Sequence, residues 1–306
     1  MRPRMPLPFA INPHAQCPVP DTAVLTALYD NNASQRNQAD LQALQACSAA
    51  AFESATLAHQ RIKLGEGESA WADIFRPRQG TGLLPAVLFV HGGRWQLNTS
   101  RETVFWAQAC GDAGLAFVGL NFPPLSAVGL TAQIAHVALV AAAVHARAAA
   151  LGLDANALVL GGHSSGAHLA LSSTLLHPPR VMPRALLLLG GLYDLAPLRA
   201  TAHQASLGFS VEDAERCSPL NLLHRASTSG QRLSLPPTLV AVGADESAEF
   251  MRQSRAVHWA LQKHTAAGWF EVPGCAHFDA ALAFNNHGPG AEMLTFLTTA
   301  LREDPP

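Results

Sequence analysis

The chain lacks the features that mark a disulfide-rich or a metal-binding protein. Its five cysteines are scattered and form no Cys-x-x-Cys pair (Cys17, Cys47, Cys110, Cys217 and Cys275). An odd number of cysteines without that spacing predicts reduced thiols and a cytoplasmic location rather than a disulfide framework or a zinc knuckle. No His-Glu-x-x-His or comparable ligand spacing occurs, so we expect no metal site and no cofactor.

Charged residues are scarce as well, at 14% of the chain, and neither sign forms a long block. A surface without such blocks is not expected to bind nucleic acid or a membrane. The apolar stretch 130–151 is long enough to span a bilayer, but Gln133, His136, His145 and Arg147 interrupt it, which predicts a buried helix of a soluble protein. The N-terminal segment is rich in proline and has no apolar run of signal length, so we expect no secretion.

What the chain does have is abundant apolar material in an alternating arrangement. Hydrophobic residues make up 49% of the sequence, and from Pro85 onward short apolar runs alternate with longer helical stretches. This pattern is typical of α/β proteins in which crossover units build a mostly parallel central sheet with helices on both faces. The predicted strands are 86–90, 115–120, 157–160, 185–189, 238–242 and 269–272, and the predicted helices are 101–112, 131–150, 165–176 and 247–265.

Other segments surround this sheet. Residues 1–60 predict a helical N-terminal extension, with Asp21 as a helix N-cap. Two short alternating segments between 61 and 75 predict an antiparallel hairpin that leads into the sheet. We therefore expect one main domain over 61–306, with the extension packed on it. The stretch 195–235 is polar and without a strand, which makes it a candidate cap insertion over a site.

The strongest local motif is the Gly-x-Ser-x-Gly sequence of Gly162–Gly166, which lies directly between a predicted strand and a predicted helix. In a sharp turn between a strand and a helix, the glycines relieve crowding and the serine is lifted above the sheet. The N-terminus of the following helix favours negative charge that develops on a bound carbonyl. This context predicts that Ser164 is a nucleophile.

A second glycine-containing loop, His91–Trp95, follows the first predicted parallel strand. An oxyanion hole needs a backbone N–H from such a loop and the N–H of the residue after the nucleophile, here Ser165. Gly92 and Gly93 allow a close approach of the backbone, and we expect the loop donor to be Gly92, Gly93 or Arg94. Taken alone, the loop could also be an ordinary glycine turn.

Chain order predicts the two partners of the serine, since an acid and then a histidine should follow it. Asp245 comes directly after a predicted strand, at the sheet edge where functional groups of open α/β sheets collect. Glu246 and Glu249 compete with it, but each lies further into the next helix. His277 lies on a loop after the last strand and is predicted to take the proton of Ser164 while Asp245 orients its other nitrogen.

The other histidines of the chain, 14 in total, fit the role of the base less well. His264 belongs to a predicted helix and His287 lies beyond the loop. His163 lies inside the turn of the nucleophile, where packing is the expected role.

Together these motifs resemble the α/β-hydrolase superfamily and, within it, the arylformamidase (kynurenine formamidase) and carboxylesterase group. The segments that carry the resemblance are His91–Trp95, Gly162–Leu169, Gly191–Leu195 and Gly243–Phe250, and Tyr29–Asn32 is similar to the N-terminal asparagine pair of the family. The resemblance covers roughly residues 61–301. It implies the α/β-hydrolase fold and hydrolysis of an ester or amide bond of a small acyl or aromatic substrate, without a cofactor.

The resemblance also implies a substrate pocket beside Trp95, to which we add Phe122 and Tyr193. Aromatic side chains fill protein cores everywhere, so core or rim packing is the alternative for all three. Arg94 stands where the formamidases often place an aromatic side chain, and Asn121–Pro124 replaces their Asn-Tyr stretch.

These residues do not distinguish an esterase from a formamidase, because the same catalytic residues can cleave both bonds and the shape of the substrate pocket determines which substrate is used. Two further functions stay open: acyl transfer to an alcohol or amine on a biosynthetic intermediate, and ligand binding without catalysis on the same fold. The expected partner is a small ester or amide. Apolar helices near the C-terminus leave a homodimer open.

Overall fold

The computed structural model describes residues 21–31, 34–79, 82–285 and 287–302. The N-terminal segment, with Cys17, and Asn32 of the asparagine pair lie outside the described residues. The cysteines at 47, 110, 217 and 275 are all unpaired.

The described chain builds one eight-stranded sheet in the order β1-β2-β4-β3-β5-β6-β7-β8. Its strands are β1 (Leu57–Lys63), β2 (Trp71–Pro77), β3 (Leu84–Val90), β4 (Ala116–Leu120), β5 (Leu153–His163), β6 (Leu186–Leu189), β7 (Thr238–Gly243) and β8 (Ala267–Val272). The first two strands pair antiparallel, β2 pairs antiparallel with β4, and the strands from β4 through β8 are parallel. This confirms the mostly parallel sheet with a leading hairpin.

Helices cover both faces of the sheet. They are α1 (Thr22–Tyr29), α2 (Gln35–Glu53), α3 (Ala107–Asp112), α4 (Leu125–Val128), α5 (Leu130–Ala146), α6 (Ser165–Leu176), α7 (Gln204–Leu207), α8 (Val211–Cys217), α9 (Pro219–Thr228), α10 (Ala248–Leu261), α11 (Asp279–Leu282) and α12 (Ala291–Arg302). Short 3-10 turns occur at Ser100–Glu102, Ala149–Leu151 and Pro197–Ala200. No helix in the described part of the chain combines the length and the apolar character needed to cross a membrane.

The predicted helix 101–112 is wrong in its first half. Thr99 and Glu102 form a capping box that closes a separate 3-10 turn over Ser100–Glu102, and the α-helix begins only at Ala107. The predicted helix 131–150 ends at Ala146, and the turn that follows closes at Gly152 in the left-handed region. In both cases the apolar spacing predicted a longer helix than the structure has, because local hydrogen bonds form a separate turn at one end.

The strands are buried on both faces, as near-continuous apolar runs require. Along β3, Leu88 and Val90 pack with α5 and α6 on one face, whereas Val87 and Phe89 pack with α3 and α12 on the other. The carboxyl ends of the parallel strands thus lie at one edge of the sheet. The loops and turns that follow β3, β5, β7 and β8 begin at this edge.

The N-terminal helices pack on this edge. Asp21 caps α1 by accepting a hydrogen bond from the N–H of Ala23, as expected. The Tyr29 hydroxyl donates to Glu249 on α10 at 2.6 Å. Further along, the Ser48 hydroxyl of α2 donates to the carbonyl of Glu102. The stretch 195–235 has helices and turns and no strand, as its polar pattern predicted.

Candidate active site

The serine motif forms a sharp turn between a strand and a helix. β5 ends at His163, α6 begins at Ser165, and Ser164 between them has φ 58° and ψ −128°. Such a backbone costs a non-glycine residue about 1–3 kcal/mol and persists only where its surroundings hold it. The Ser164 N–H donates to the Leu189 carbonyl at 2.9 Å, which is one such restraint. The predicted context of the motif is confirmed.

The flanking glycines are required because the backbone is crowded. A Cβ at Gly162 would collide with the backbone of Gly166, and a Cβ at Gly166 would collide with the carbonyls of Val90 and His91. The turn therefore lies against the end of β3, close to the loop predicted to supply the oxyanion hole.

Ser164 and His277 line one cavity of about 100 Å³. Both residues are largely buried, at 8% and 2% exposure. The cavity is also lined by Gly92, Gly93 and Arg94. The rest of its described wall combines polar and apolar side chains from the N-terminal helices and three loops: Asn31, Leu41, Leu44, Gln45, Leu97, Asn98, Glu102, Thr103, Phe105, His163 and Phe278.

The carboxylate that contacts His277 belongs to Glu246 and not, as expected, to Asp245. The His277 Nδ1 lies 2.9 Å and 3.1 Å from the two carboxylate oxygens of Glu246, and both side chains are almost fully buried. Gly190 leaves room for this pair, since a Cβ there would lie 2.7 Å from Glu246 Oε1. With Nδ1 bound, Nε2 is the ring nitrogen that can accept a proton.

Asp245 faces outward because of the turn after β7. Its N–H donates to the Cys275 carbonyl at 2.8 Å, while the N–H of Glu246 donates back to Gly243. The Asp245 side chain is 51% exposed and accepts a hydrogen bond from Arg36 of α2 at 3.2 Å. The acid that follows the nucleophile in chain order can be an Asp or a Glu. The sequence therefore indicated the correct loop, but the prediction chose the residue before Glu246.

Arg36 is a contact that the sequence did not indicate. Besides Asp245, its guanidinium donates to the Gly274 carbonyl and to Asp279, each at 2.5 Å. These partners lie on both sides of the loop that carries His277. Through Arg36, the N-terminal extension therefore contacts both the loop after β7, which carries Asp245 and Glu246, and the loop after β8, which carries His277.

Burial sets the electrostatics of the pair. Burial, together with the smaller effect of the positive charge of Arg94, lowers the pKa of His277 to about 3. Burial and the negative charge of Asp279 raise the pKa of Glu246 well above its usual range. The low pKa keeps the imidazole neutral near pH 7, in the form that can accept a proton. An imidazolium formed during a reaction would lie directly against the carboxylate.

The loop after β3 is pinned to the serine turn. The N–H of Trp95 donates to the Ser165 hydroxyl at 3.1 Å, and a Cβ at Gly92 would lie 3.0 Å from the Ser164 Cβ. Gly93, Arg94 and Trp95 all have positive φ, of 124°, 51° and 61°. Consecutive positive φ values in two non-glycine residues indicate a backbone that its surroundings hold in place.

Arg94 links this loop to two other parts of the chain. Its guanidinium donates to Asp30, just after α1, at 2.8 Å and lies 3.3 Å from His203 Nδ1. The Arg94 side chain is 35% exposed and lines the cavity beside Ser164. It therefore brings a positive charge to the place where a bound substrate would lie.

The three aromatic residues expected in the pocket lie in the core instead. Trp95 is 1% exposed and its indole N–H donates to His168 at 3.0 Å. Phe122 stacks on His91 with ring centroids 4.1 Å apart, and Tyr193 is fully buried. The aromatic side chains that do line the cavity are Phe105 and Phe278, which no motif singled out.

His163, expected to pack, is buried at the end of β5, where it also lines the cavity. Its Nε2 lies 3.0 Å from the His277 carbonyl oxygen, and the two rings are 4.6 Å apart. Burial lowers the pKa of His163 well below its ordinary value. Among the described residues, no group of three or more His, Cys, Asp or Glu side chains is arranged to hold a metal ion.

Comparisons with known proteins agree with the fold described above. Residues 72–182 match the BD-FAE family. The kynurenine formamidase of Salmo salar is 28% identical over 224 residues, which are 71% of this chain and 74% of that protein. The kynurenine formamidase of Danio rerio is 28% identical over 66% of this chain and 68% of its own. A thermostable esterase from Pseudomonas putida ECU1011 is 19% identical, with a TM-score of 0.65 over 92% of this chain and 97% of its own.

Proposed function

Because the chain is an α/β-hydrolase of the arylformamidase- and carboxylesterase-like group, we propose that it cleaves esters and amides by nucleophilic catalysis through Ser164. In this proposal His277 is the general base, and Glu246 is the carboxylate that orients it. Asp245, expected in that role from the sequence, has none in the reaction.

One observation carries the proposal. The neutral, buried imidazole of His277 has its Nδ1 at hydrogen-bond distance from a buried carboxylate and lines the same cavity as Ser164. A nucleophile, a base and a third group that orients the base are the minimum set for covalent catalysis at a serine hydroxyl.

The reaction has two steps. The Ser164 hydroxyl attacks the carbonyl carbon of the substrate, its proton passes to Nε2 of His277, and the histidine returns that proton to the departing alcohol or amine. Water, which gives a proton to the same nitrogen, then attacks the acyl-enzyme; the bond to the Ser164 oxygen breaks, that oxygen takes the proton back from His277, and the acid is released. Both tetrahedral intermediates carry a negative oxygen, for which we assign the N–H of Ser165 and a loop N–H of Gly93 or Arg94.

The cavity supports a small acyl group. Its volume of about 100 Å³ beside Ser164 is well below the usual range of ligand pockets, and Phe105 and Phe278 provide apolar surface for an aromatic leaving group. The names of the relatives point the same way, toward a formyl amide of an aromatic amine. We therefore propose short-chain esters and formamides with aromatic leaving groups as the substrate class.

Parallel turnover of N-formyl-L-kynurenine and p-nitrophenyl acetate tests this proposal. We expect Ser164→Ala to lower kcat by about 10⁴-fold or more for each substrate that the wild type cleaves. Ser173→Ala is the matched control, because its hydroxyl is also on α6 but bonds only the carbonyl of Ala170. Turnover by folded Ser164→Ala within about tenfold of the wild type would rule out Ser164 as the nucleophile.

A further inference from the structure

A second and larger cavity lies at the other end of the strands. Its volume is about 490 Å³, within the range of about 300–1,000 Å³ that ligand pockets occupy. Asn156, at the rim, and Ser164 are eight residues apart along β5, which corresponds to roughly 26 Å in an extended strand. The lining residues described for the two cavities have no member in common. Whatever binds here would not occupy the site around Ser164.

The cavity passes between two helices to the sheet itself. Leu88 of β3 and Leu158 and Leu160 of β5 line it, and all three belong to the buried core. The α5 wall consists largely of alanines, including Ala138 and Ala142, whose small side chains leave the space unfilled. Protein interiors are close-packed, and voids much larger than a water molecule are rare. An open volume that reaches core leucines therefore favours an apolar ligand group.

The rim of this cavity is basic. Its described lining residues include Arg180 and Arg184, and none of these lining residues is an Asp or a Glu. The rim loop, residues 177–184, contains three prolines, which restrict its backbone and favour a preformed shape. An apolar interior with a cationic rim is complementary to a molecule that has an apolar body and one negative end.

We propose that this cavity binds an amphipathic carboxylate of the medium-chain fatty acid class. The hydrocarbon chain lies against the leucines of β3 and β5, and the carboxylate lies at Arg180. Guanidinium groups are suited to this role because their fixed fork of N–H donors matches a carboxylate.

Calorimetric titration with decanoate and decanol, at concentrations below micelle formation, tests the assignment. We expect one decanoate per chain, in the wild type and equally in Ser164→Ala, because the binding site is independent of the nucleophile. Decanol should bind about tenfold more weakly, since it lacks the charge that Arg180 pairs. Arg180→Gln should abolish this preference for the acid.

Two variants on α5 localise the binding. Ala142→Phe fills the cavity from its exposed wall and should weaken decanoate binding by about tenfold or more. Leu139→Phe is the matched control, because Leu139 is 56% exposed on the same helix and outside the cavity, and it should bind as the wild type does. The proposal is overturned if decanoate does not bind, if Ala142→Phe binds it unchanged, or if decanol binds as tightly as decanoate.

Discussion

Two pairs of a buried carboxylate and a histidine occur in different halves of the sheet, one on β2 and one after β7, and they differ in what else surrounds the carboxylate. At the hairpin, Asp73 of β2 is fully buried and lies 2.8 Å from His59 Nε2. At the cavity, Glu246 is 1% exposed and lies 2.9 Å from His277 Nδ1. By distance and carboxylate burial alone, the two pairs are almost equivalent.

The two carboxylates differ in their other hydrogen-bond donors. Asp73 also accepts two hydrogen bonds from the Arg61 guanidinium, each at 2.9 Å, and one from the Ser100 hydroxyl at 2.6 Å. Although burial raises its pKa, these hydrogen bonds outweigh that effect and leave the pKa of Asp73 below its ordinary value. The carboxylate of Glu246 has hydrogen bonds only to His277 among the described residues, and burial raises its pKa. A carboxylate with many donors stabilises the fold, whereas one with a single donor stays available to respond to charge on its histidine.

The largest effect that would test this contrast is on turnover. We expect Glu246→Gln to lower kcat by about 10³–10⁴-fold, because an amide neither fixes the tautomer of His277 nor stabilises an imidazolium. The unfolding free energy should change by less than about 1 kcal/mol, since the substitution removes a charge that burial already disfavours. Steady-state ester hydrolysis and urea unfolding measure the two quantities.

Asp245→Asn is the matched control, as the neighbouring carboxylate in the same turn. Its side chain is half exposed and bonds Arg36, so we expect less than about a tenfold loss in kcat. If Asp245→Asn loses more activity than Glu246→Gln, the acid expected from the sequence is correct and the assignment of Glu246 fails.

The reverse outcome is expected at the hairpin. Asp73→Asn should lower the unfolding free energy by about 3 kcal/mol, the low end for breaking a buried ion pair, because Arg61 and His59 remain partly exposed. The kcat of the folded variant should stay within about twofold of the wild type, since neither Asp73 nor the side chains that it bonds are among the residues that line the cavity. A large loss of kcat without loss of stability would contradict the contrast.

The pH dependence of stability sharpens the same prediction. The folded pKa of Asp73 lies below the value of about 3.9 for an unfolded Asp. Its contribution to stability is therefore complete above the unfolded pKa and is lost as the pH falls through the folded pKa. The difference in unfolding free energy between wild type and Asp73→Asn should shrink on acidification, which urea titrations at several pH values below 5 would show.

Part of this picture followed from local sequence. The serine turn was predictable because Gly162 and Gly166 meet steric needs that the strand and the helix impose on five consecutive residues. The choice between Asp245 and Glu246 was not predictable, because the turn that directs Asp245 outward is held by a hydrogen bond to Cys275, and Arg36, 209 positions away in the chain, contacts Asp245 there. Likewise, the indole of Trp95 is held in the core by His168, which lies 73 positions away.

The smallest expected effect is on the pH profile of kcat/KM, at its acid limb, where activity falls as the pH is lowered. A general base must be neutral, and burial with the charge of Arg94 holds the pKa of His277 down, so the limb should lie below the ordinary histidine value of about 6.5. Removing the positive charge raises that pKa, and Arg94→Gln should therefore move the limb to higher pH. Arg94→Lys keeps the charge and should leave the limb in place. If the limb of Arg94→Gln coincides with that of the wild type, the charge of Arg94 does not act on His277, and burial alone keeps the base neutral.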